Sequence, residues 1–176
     1  MISIPVIETA RLRLRPRTID DAEALLPAMS DPAVMIWWSR APVMSIDEVR
    51  DYFAPGEKWA GWQALAITRK GDDRAIGFVS TGEKRQGGVS EIGYLLEPAA
   101  WGAGIAREAV WAVIDELFRQ GQRRIFADTD PENAASNRLL ENLGFTLEGR
   151  LRGEWETHIG VRDSFIWGLL AEEWKR

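Results

Sequence analysis

The stretch Leu95-Leu96-Glu97-Pro98-Ala99-Ala100-Trp101-Gly102-Ala103-Gly104-Ile105-Ala106-Arg107-Glu108 constrains the fold more than any other part of the chain. Upstream, Glu91-Ile92-Gly93-Tyr94-Leu95-Leu96 reads as a strand that ends at Glu97-Pro98. Downstream, Ala106, Val110, Val113 and Leu117 follow helical spacing, which predicts a helix from about Gly104 to Gln120 with Gly121 as its left-handed stop. Trp111, Ile114 and Phe118 widen the apolar stripe, so this helix is expected to be covered on much of its circumference, with Trp111 in the core. Arg124 to Thr129 then reads as a buried strand. A strand, helix and strand joined this way fold as a right-handed parallel crossover. N–H groups at a helix start are unpaired and carry the positive end of the helix dipole, so an anion docks there readily. Gly102 and Gly104 let the backbone approach such an anion, and Ala106 keeps the first turn unobstructed. The same glycines also suit a tight strand–helix connection with no ligand. Two stricter phosphate motifs fail: the Gly102–Arg107 segment lacks the third small residue of the dinucleotide fingerprint, and no Gly-Lys-Ser/Thr triplet exists for a P-loop.

The remaining segments fill in an α/β fold with a mixed sheet. Arg11-Leu12-Arg13-Leu14-Arg15 alternates with period two and stops at Pro16, the pattern of a strand with one wet face. Thr18-Ile19-Asp20-Asp21 opens a helix carrying Ala22, Leu25, Leu26 and Met29, although Pro27 argues against its later part. Ser45-Ile46-Asp47-Glu48 is a capping box ahead of Val49, Tyr52 and Phe53. Trp62–Thr68, Ala75–Thr81 and Val89–Leu96 form a predicted antiparallel meander, with Lys70-Gly71-Asp72-Asp73 and Gln86-Gly87-Gly88 as its turns. Pro131 to Leu143 reads as a short helix closed by Gly144, and Leu147–Arg152 and Asp163–Leu170 complete the sheet. Nothing repeats and no linker-like stretch appears, so residues 1–176 are expected to form a single domain.

Composition removes several classes of function. With no cysteine and one histidine, His158, the chain has no thiolate nucleophile, disulfide framework or multi-histidine metal site, so no metal is expected. A net charge of −5 argues against nucleic acid as a partner, because that affinity rests on neutralising phosphates. No apolar run approaches the ~18 residues of a spanning helix, and Met1-Ile2-Ser3-Ile4-Pro5 has no signal-like character. A soluble cytoplasmic protein with no membrane partner is the expectation.

A second stretch, Asp128-Thr129-Asp130-Pro131-Glu132-Asn133-Ala134-Ala135-Ser136-Asn137-Arg138-Leu139-Leu140-Glu141-Asn142-Leu143-Gly144-Phe145, completes a pattern. Together the two resemble the GNAT acetyltransferase superfamily. The turn is similar to its Q/R-x-x-G-x-G/A motif as Trp101-x-x-Gly104-x-Ala106. The later stretch resembles the N-x-x-S-x-x-x-x-x-x-L-G-F signature of the branch containing the ribosomal-protein N-terminal alanine/serine acetyltransferases. Glu8-Thr9-Ala10-Arg11-Leu12-Arg13-Leu14-Arg15 resembles that branch's opening strand. One departure stands out: Trp101 replaces the usual Gln or Arg of the turn and offers no cation, leaving Arg107 or Arg138 as the nearest charges.

The resemblance implies a mostly antiparallel mixed sheet with one splayed parallel strand pair, about four helices, and acetyl-CoA as cosubstrate. It places backbone groups of Tyr94, Leu95 and Leu96 on the pantetheine arm. It places N–H groups of Trp101, Gly102, Ala103, Gly104, Ile105 and Ala106 on the pyrophosphate. Asn133, Ser136 and Asn137 would face the thioester end, although Asn133 also suits a helix cap. Acetyl transfer to an amine needs a proton acceptor for the amine, a polarised carbonyl and a proton for the leaving thiolate. Many members use a tyrosine late in the short helix as the acid, and this chain has Leu139, Leu140 and Leu143 there. Ser136 is the replacement the branch implies. Glu154 and Glu91 are the candidate bases; alternation leaves Glu91 facing either the cleft or solvent. His158 lies in a polar turn and reads as a bystander. Trp37 and Trp38, then Trp59 and Trp62, flank the early helices, where they form either an apolar wall beside the acceptor or a seal on the core or a dimer contact. Trp167 reads as core, and the Trp content leaves room for a homodimer. The expected acceptor is a protein N-terminal α-amine or a small-molecule amine. The alternatives are a non-catalytic acyl-CoA-binding sensor and, less well supported, a dinucleotide oxidoreductase.

Overall fold

The computed structural model describes residues 3–56, 60–85 and 87–175; Trp59 and Gln86 lie outside these. Eight strands form one sheet: β1 (Ile7–Glu8), β2 (Leu12–Pro16), β3 (Trp62–Arg69), β4 (Asp72–Arg85), β5 (Val89–Leu96), β6 (Arg124–Thr129), β7 (Thr146–Thr157) and β8 (Gly160–Leu170). Their order is β1-β2-β3-β4-β5-β6-β8-β7. Every neighbouring pair is antiparallel except β5 and β6, which the long helix joins as a parallel unit. The helices are α1 (Ala22–Ser30), α2 (Pro32–Met35), α3 (Ile46–Phe53), α4 (Ile105–Arg119) and α5 (Ala134–Asn142). None is long and apolar enough among the described residues to cross a membrane.

Alternation along the strands creates two cores, one on each face. Leu65 and Ile67 of β3 pack with Ile92 of β5 against Ile105, Val110, Val113 and Leu117 of α4. Ala66 of β3 and Leu95 of β5 turn the other way, toward Leu25, Met29, Val49 and Phe53 of α1 and α3. A register shift between Ile67 and Thr68 resets the phase of β4, so Ala75 and Phe78 share the α1–α3 face while Ile76 and Val79 face α4. That bulge carries Phe78 and Ser80 to the side where the site forms.

The structure departs from the sequence reading in three places. Pro27 does not end its helix: α1 continues to Ser30, because the Glu23 carbonyl left without its donor lies on the exposed face, where water satisfies it. The two final strands are longer than their patterns and meet in a hairpin at Thr157–Gly160, which holds His158 in an exposed turn. Trp111 is 39% exposed instead of buried, packing at 5.6 Å between centroids on Trp174, whereas Trp167 is 7% exposed as expected.

Candidate active site

The parallel pair sets the geometry. Its ladder contains Val89↔Arg124, Ser90↔Ile125 and Glu91↔Phe126 and then stops. Beyond Glu91 the two strands diverge, so the β6-facing backbone groups of Ile92 to Leu96 look into a gap instead of a partner strand. Just past the gap, Glu97 opens a tight turn in which the Ala100 and Trp101 amides donate to Glu97 and Pro98 carbonyls, both at 3.0 Å. Gly102 and Gly104 both adopt φ of 74°, a conformation that strains most residues with a Cβ. Nothing lies within 4 Å of where a Gly102 Cβ would stand. The N–H groups from Gly102 to Arg107 donate to no backbone or side-chain acceptor among the described residues. A row of free donors thus sits at the positive end of α4, in line with the gap.

This arrangement narrows the expected cofactor contacts. The Trp101 amide is internally bonded, so the free row begins at Gly102. The Trp101 indole donates to the Leu96 carbonyl at 2.8 Å, closing the end of β5 over the turn. Ile105 points its side chain into the α4 core and offers only its backbone. Asn137 does not line the cavity: its amide accepts from Thr129 Oγ1 at 2.5 Å and donates to the Asp130 and Pro131 carbonyls. It ties α5 to the end of β6. Asn133 caps α5, accepting from the Ser136 amide at 3.2 Å, while still lining the cavity.

Sequence reasoning missed the cation beside the turn. Arg11 reaches across from the opening strand, donating to the Ala103 carbonyl at 2.8 Å and to Glu108 of α4 at 2.6 Å. Thr9 and the Arg11 amide bind the other Glu108 oxygen, and together these bonds hold the Glu108 carboxyl below its ordinary range despite its partial burial. The contact spans more than 90 residues of chain, so no local spacing rule could have found it.

A cavity of about 530 Å³ passes through the gap, drawing its lining from both faces of the sheet. Ser136 and Tyr94 meet inside it, their hydroxyls 2.5 Å apart. Burial pushes the Tyr94 phenol up to about 12, so it keeps its proton at neutral pH. The Tyr94 side chain is therefore a second hydroxyl at the position where the sequence offered Ser136 alone.

Glu91 also lines the cavity, resolving the open question of its direction. It shares the α1–α3 face with Leu95, lies 3.3 Å from Lys84, and has its pKa raised by burial, with Asp128 adding to the effect against Lys84. Asp128, one residue before the end of β6, lines the cavity too, accepting from the Trp155 indole at 2.9 Å and from Ser164. Glu154 stands apart from these groups: it is exposed and outside the cavity lining, while the adjacent Trp155 reaches in. Trp37 and Trp38 line the far wall, where Trp38 tilts onto Phe78 at 5.9 Å. Among the described residues, no group of three or more His, Cys, Asp or Glu is placed to hold a metal ion.

The gap between the parallel strands thus leads to a glycine-lined helix start. An acetyltransferase (GNAT) domain model matches residues 11–146. The chain belongs to the GNAT acetyltransferase family. An uncharacterized N-acetyltransferase, p20 of Bacillus licheniformis, is 33% identical over 171 residues, covering 94% of this chain and 96% of its own. At the level of fold, the chain is similar to RimL, a ribosomal alpha-N-protein acetyltransferase solved with coenzyme A: TM-score 0.80, 20% identity, 94% and 97% of the two chains covered. Ribosomal-protein-S5-alanine acetyltransferase of Vibrio fischeri gives a TM-score of 0.77 at 23% identity, over 97% and 99% of the chains. This GNAT protein is an acetyltransferase, and its sheet, mostly antiparallel with one parallel pair, is the family's α/β architecture.

Proposed function

We propose that this GNAT protein transfers the acetyl group of acetyl-CoA directly to a primary amine, either a protein N-terminal α-amine or a small-molecule amine. The observation that carries the reading is the three-pair ladder between β5 and β6, which leaves backbone donors and acceptors facing a gap in line with the free N–H row of Gly102–Arg107. A pantetheine arm has amides to bond with the exposed edge of β5. A diphosphate suits the N–H row, with Arg11 supplying charge that Trp101 lacks. Coenzyme A in the RimL structure, a fold-level neighbour, supports the same donor.

The cosubstrate brings the activated acyl group; this chain's residues handle the protons. Glu91, assisted by Asp128 or through water, accepts the proton that the attacking amine must lose. N–H groups at the exposed edge of β5 polarise the carbonyl as its oxygen gains charge. Ser136 gives its proton to the departing thiolate, the adjoining Tyr94 phenol replaces it, and the phenol regains a proton from solvent as the product leaves the cavity. Trp37 and Trp38 wall the acceptor side and exclude water from the amine. Glu154 is retained as an alternative base only if a conformational change brings it to the cavity. Incubating the protein with acetyl-CoA and a panel of amines, with free thiol as the readout, tests the proposal. Acetylated amine and stoichiometric CoA are expected; CoA binding without turnover on any acceptor would replace the enzyme reading by the sensor alternative.

A further inference from the structure

The acceptor side of the cavity holds a cation that the reaction itself does not use. The Arg17 amide donates to the Ala64 carbonyl at 2.9 Å, which fixes the residue at the edge of the cavity. Its guanidinium lies 3.9 Å from the Phe53 ring centroid, 4.9 Å from that of Phe78 and 5.7 Å from that of Tyr52. Burial draws its pKa down to about 10, well short of neutralising it. Among the described residues it has no ion pair and its side chain donates no hydrogen bond. Asp21, the carboxylate whose charge reaches it, is already gripped by Arg15 at 2.7 and 2.9 Å. Arg162, the other arginine lining the cavity, contrasts with it: Asp130 and Glu132 both bind that guanidinium.

A guanidinium held among aromatic rings and donating no hydrogen bond keeps its N–H fork available, and that fork matches a carboxylate in two parallel hydrogen bonds. Aromatic walls also exclude the water that would otherwise weaken such a pair. A second guanidinium, Arg40, sits 4.8 Å from the Tyr52 ring and adds positive potential to the same wall. The opposite part of the cavity carries Glu91 and Asp128, which suit an amine. Arg17 is level with the Ala64–Ser80–Gly93 row across the sheet. Three strand spacings of ~4.8 Å put its backbone about 14 Å from β5. The anion and amine positions are thus several bonds apart in a cavity whose lining includes Phe78 and Trp38.

Resting on the acetyl-transfer reading above, we propose that the acceptor is a small zwitterion: a primary amine joined through a short apolar segment to a carboxylate that docks on Arg17. A polypeptide N-terminus without an acidic side chain would present a neutral amide to this guanidinium. The test measures kcat/KM by thiol release for free α-amino acids, ω-amino carboxylates of two to five methylenes and dipeptides, each beside its carboxamide, with C-terminally amidated peptides as a further arm. Some free acid is expected to exceed its own amide at least tenfold in the wild-type protein, and Arg17→Gln is expected to bring that ratio within threefold of one. Arg17→Lys should restore part of the preference. By calorimetry, the acetylated product of the best acid should bind the wild-type protein at least tenfold tighter than Arg17→Gln. If amides or amidated peptides are acetylated as well as the acids, or Arg17→Gln leaves the ratio unchanged, the zwitterion inference is overturned while acetyl transfer stands. CoA binding with no acetylation of any member overturns both.

Discussion

In the proposed reaction the hydroxyl pair Tyr94–Ser136 and the carboxylate Glu91 divide the proton traffic at opposite sides of one gap, and each proposed role follows from surroundings more than from residue type. Tyr94 keeps its proton because burial penalises the phenolate, so it can supply Ser136 but cannot act as a base at neutral pH. Ser136→Ala should lower kcat by about 10- to 100-fold with little change in CoA affinity, consistent with loss of a general acid. Tyr94→Phe should produce a smaller fall in kcat. A pre-steady-state measurement showing normal transfer in both variants would return the pair to a structural hydrogen bond. Glu91 is raised by burial, so its basic form is lost as pH falls through a value above the ordinary 4.5. The acid limb of the kcat/KM profile should lie above the usual carboxylate range, and Glu91→Gln should remove that limb while cutting turnover by about 100-fold. An unaltered limb would move the role to Asp128. Ser136 was legible as a candidate because its motif is local. The Tyr94 hydroxyl was not, because its partner lies 42 residues away.

At the level of elements, the turn before α4 carries the proposed diphosphate site. Gly104 is both the N-cap of α4 and a left-handed residue, and a Cβ there would lie 3.5 Å from Arg11. Gly104→Asp should retain the fold, since aspartate is tolerated both at N-caps and in left-handed geometry. Its carboxylate should occupy the free donors and draw Arg11 away, weakening CoA binding at least tenfold by calorimetry with no loss of cooperative unfolding; unchanged affinity would place the diphosphate elsewhere. The strand, turn and helix were all readable because glycine, proline and helical periodicity are short-range signals. Where α1 ends was misread at Pro27 because the sequence does not say which face of the helix meets water. The bonding of Asn137 was hidden for a related reason: its amide ties β6 to the start of α5, a choice set by packing.

On the scale of the whole molecule, ion pairs stitch distant segments together: Arg11–Glu108 across the opening strand and α4, Arg124–Glu148 across β6 and β7, and Arg162–Asp130 across β8 and the start of α5. The carboxyls of Glu108, Glu148 and Asp130 are held below their ordinary values by these partners. Depressed carboxyls add stability that is present above their unfolded values and lost as pH falls through the folded ones, so the melting temperature should hold from neutrality to about pH 5 and decline below it. A melting temperature flat down to pH 3 would show that these pairs contribute little. Sequence alone determined the parallel crossover, the glycine turn, the two early helices and the family they compose, because hydrophobic period, caps and turn residues act over a few positions. Tertiary structure alone decided which carboxylates face the cavity, that Arg11 braces the turn, and that Arg17 lies among aromatic rings with no ion pair among the described residues. Those outcomes depend on where β2, β4 and β5 align and where a bulge resets the alternation, and such long-range register has no signature in neighbouring residues.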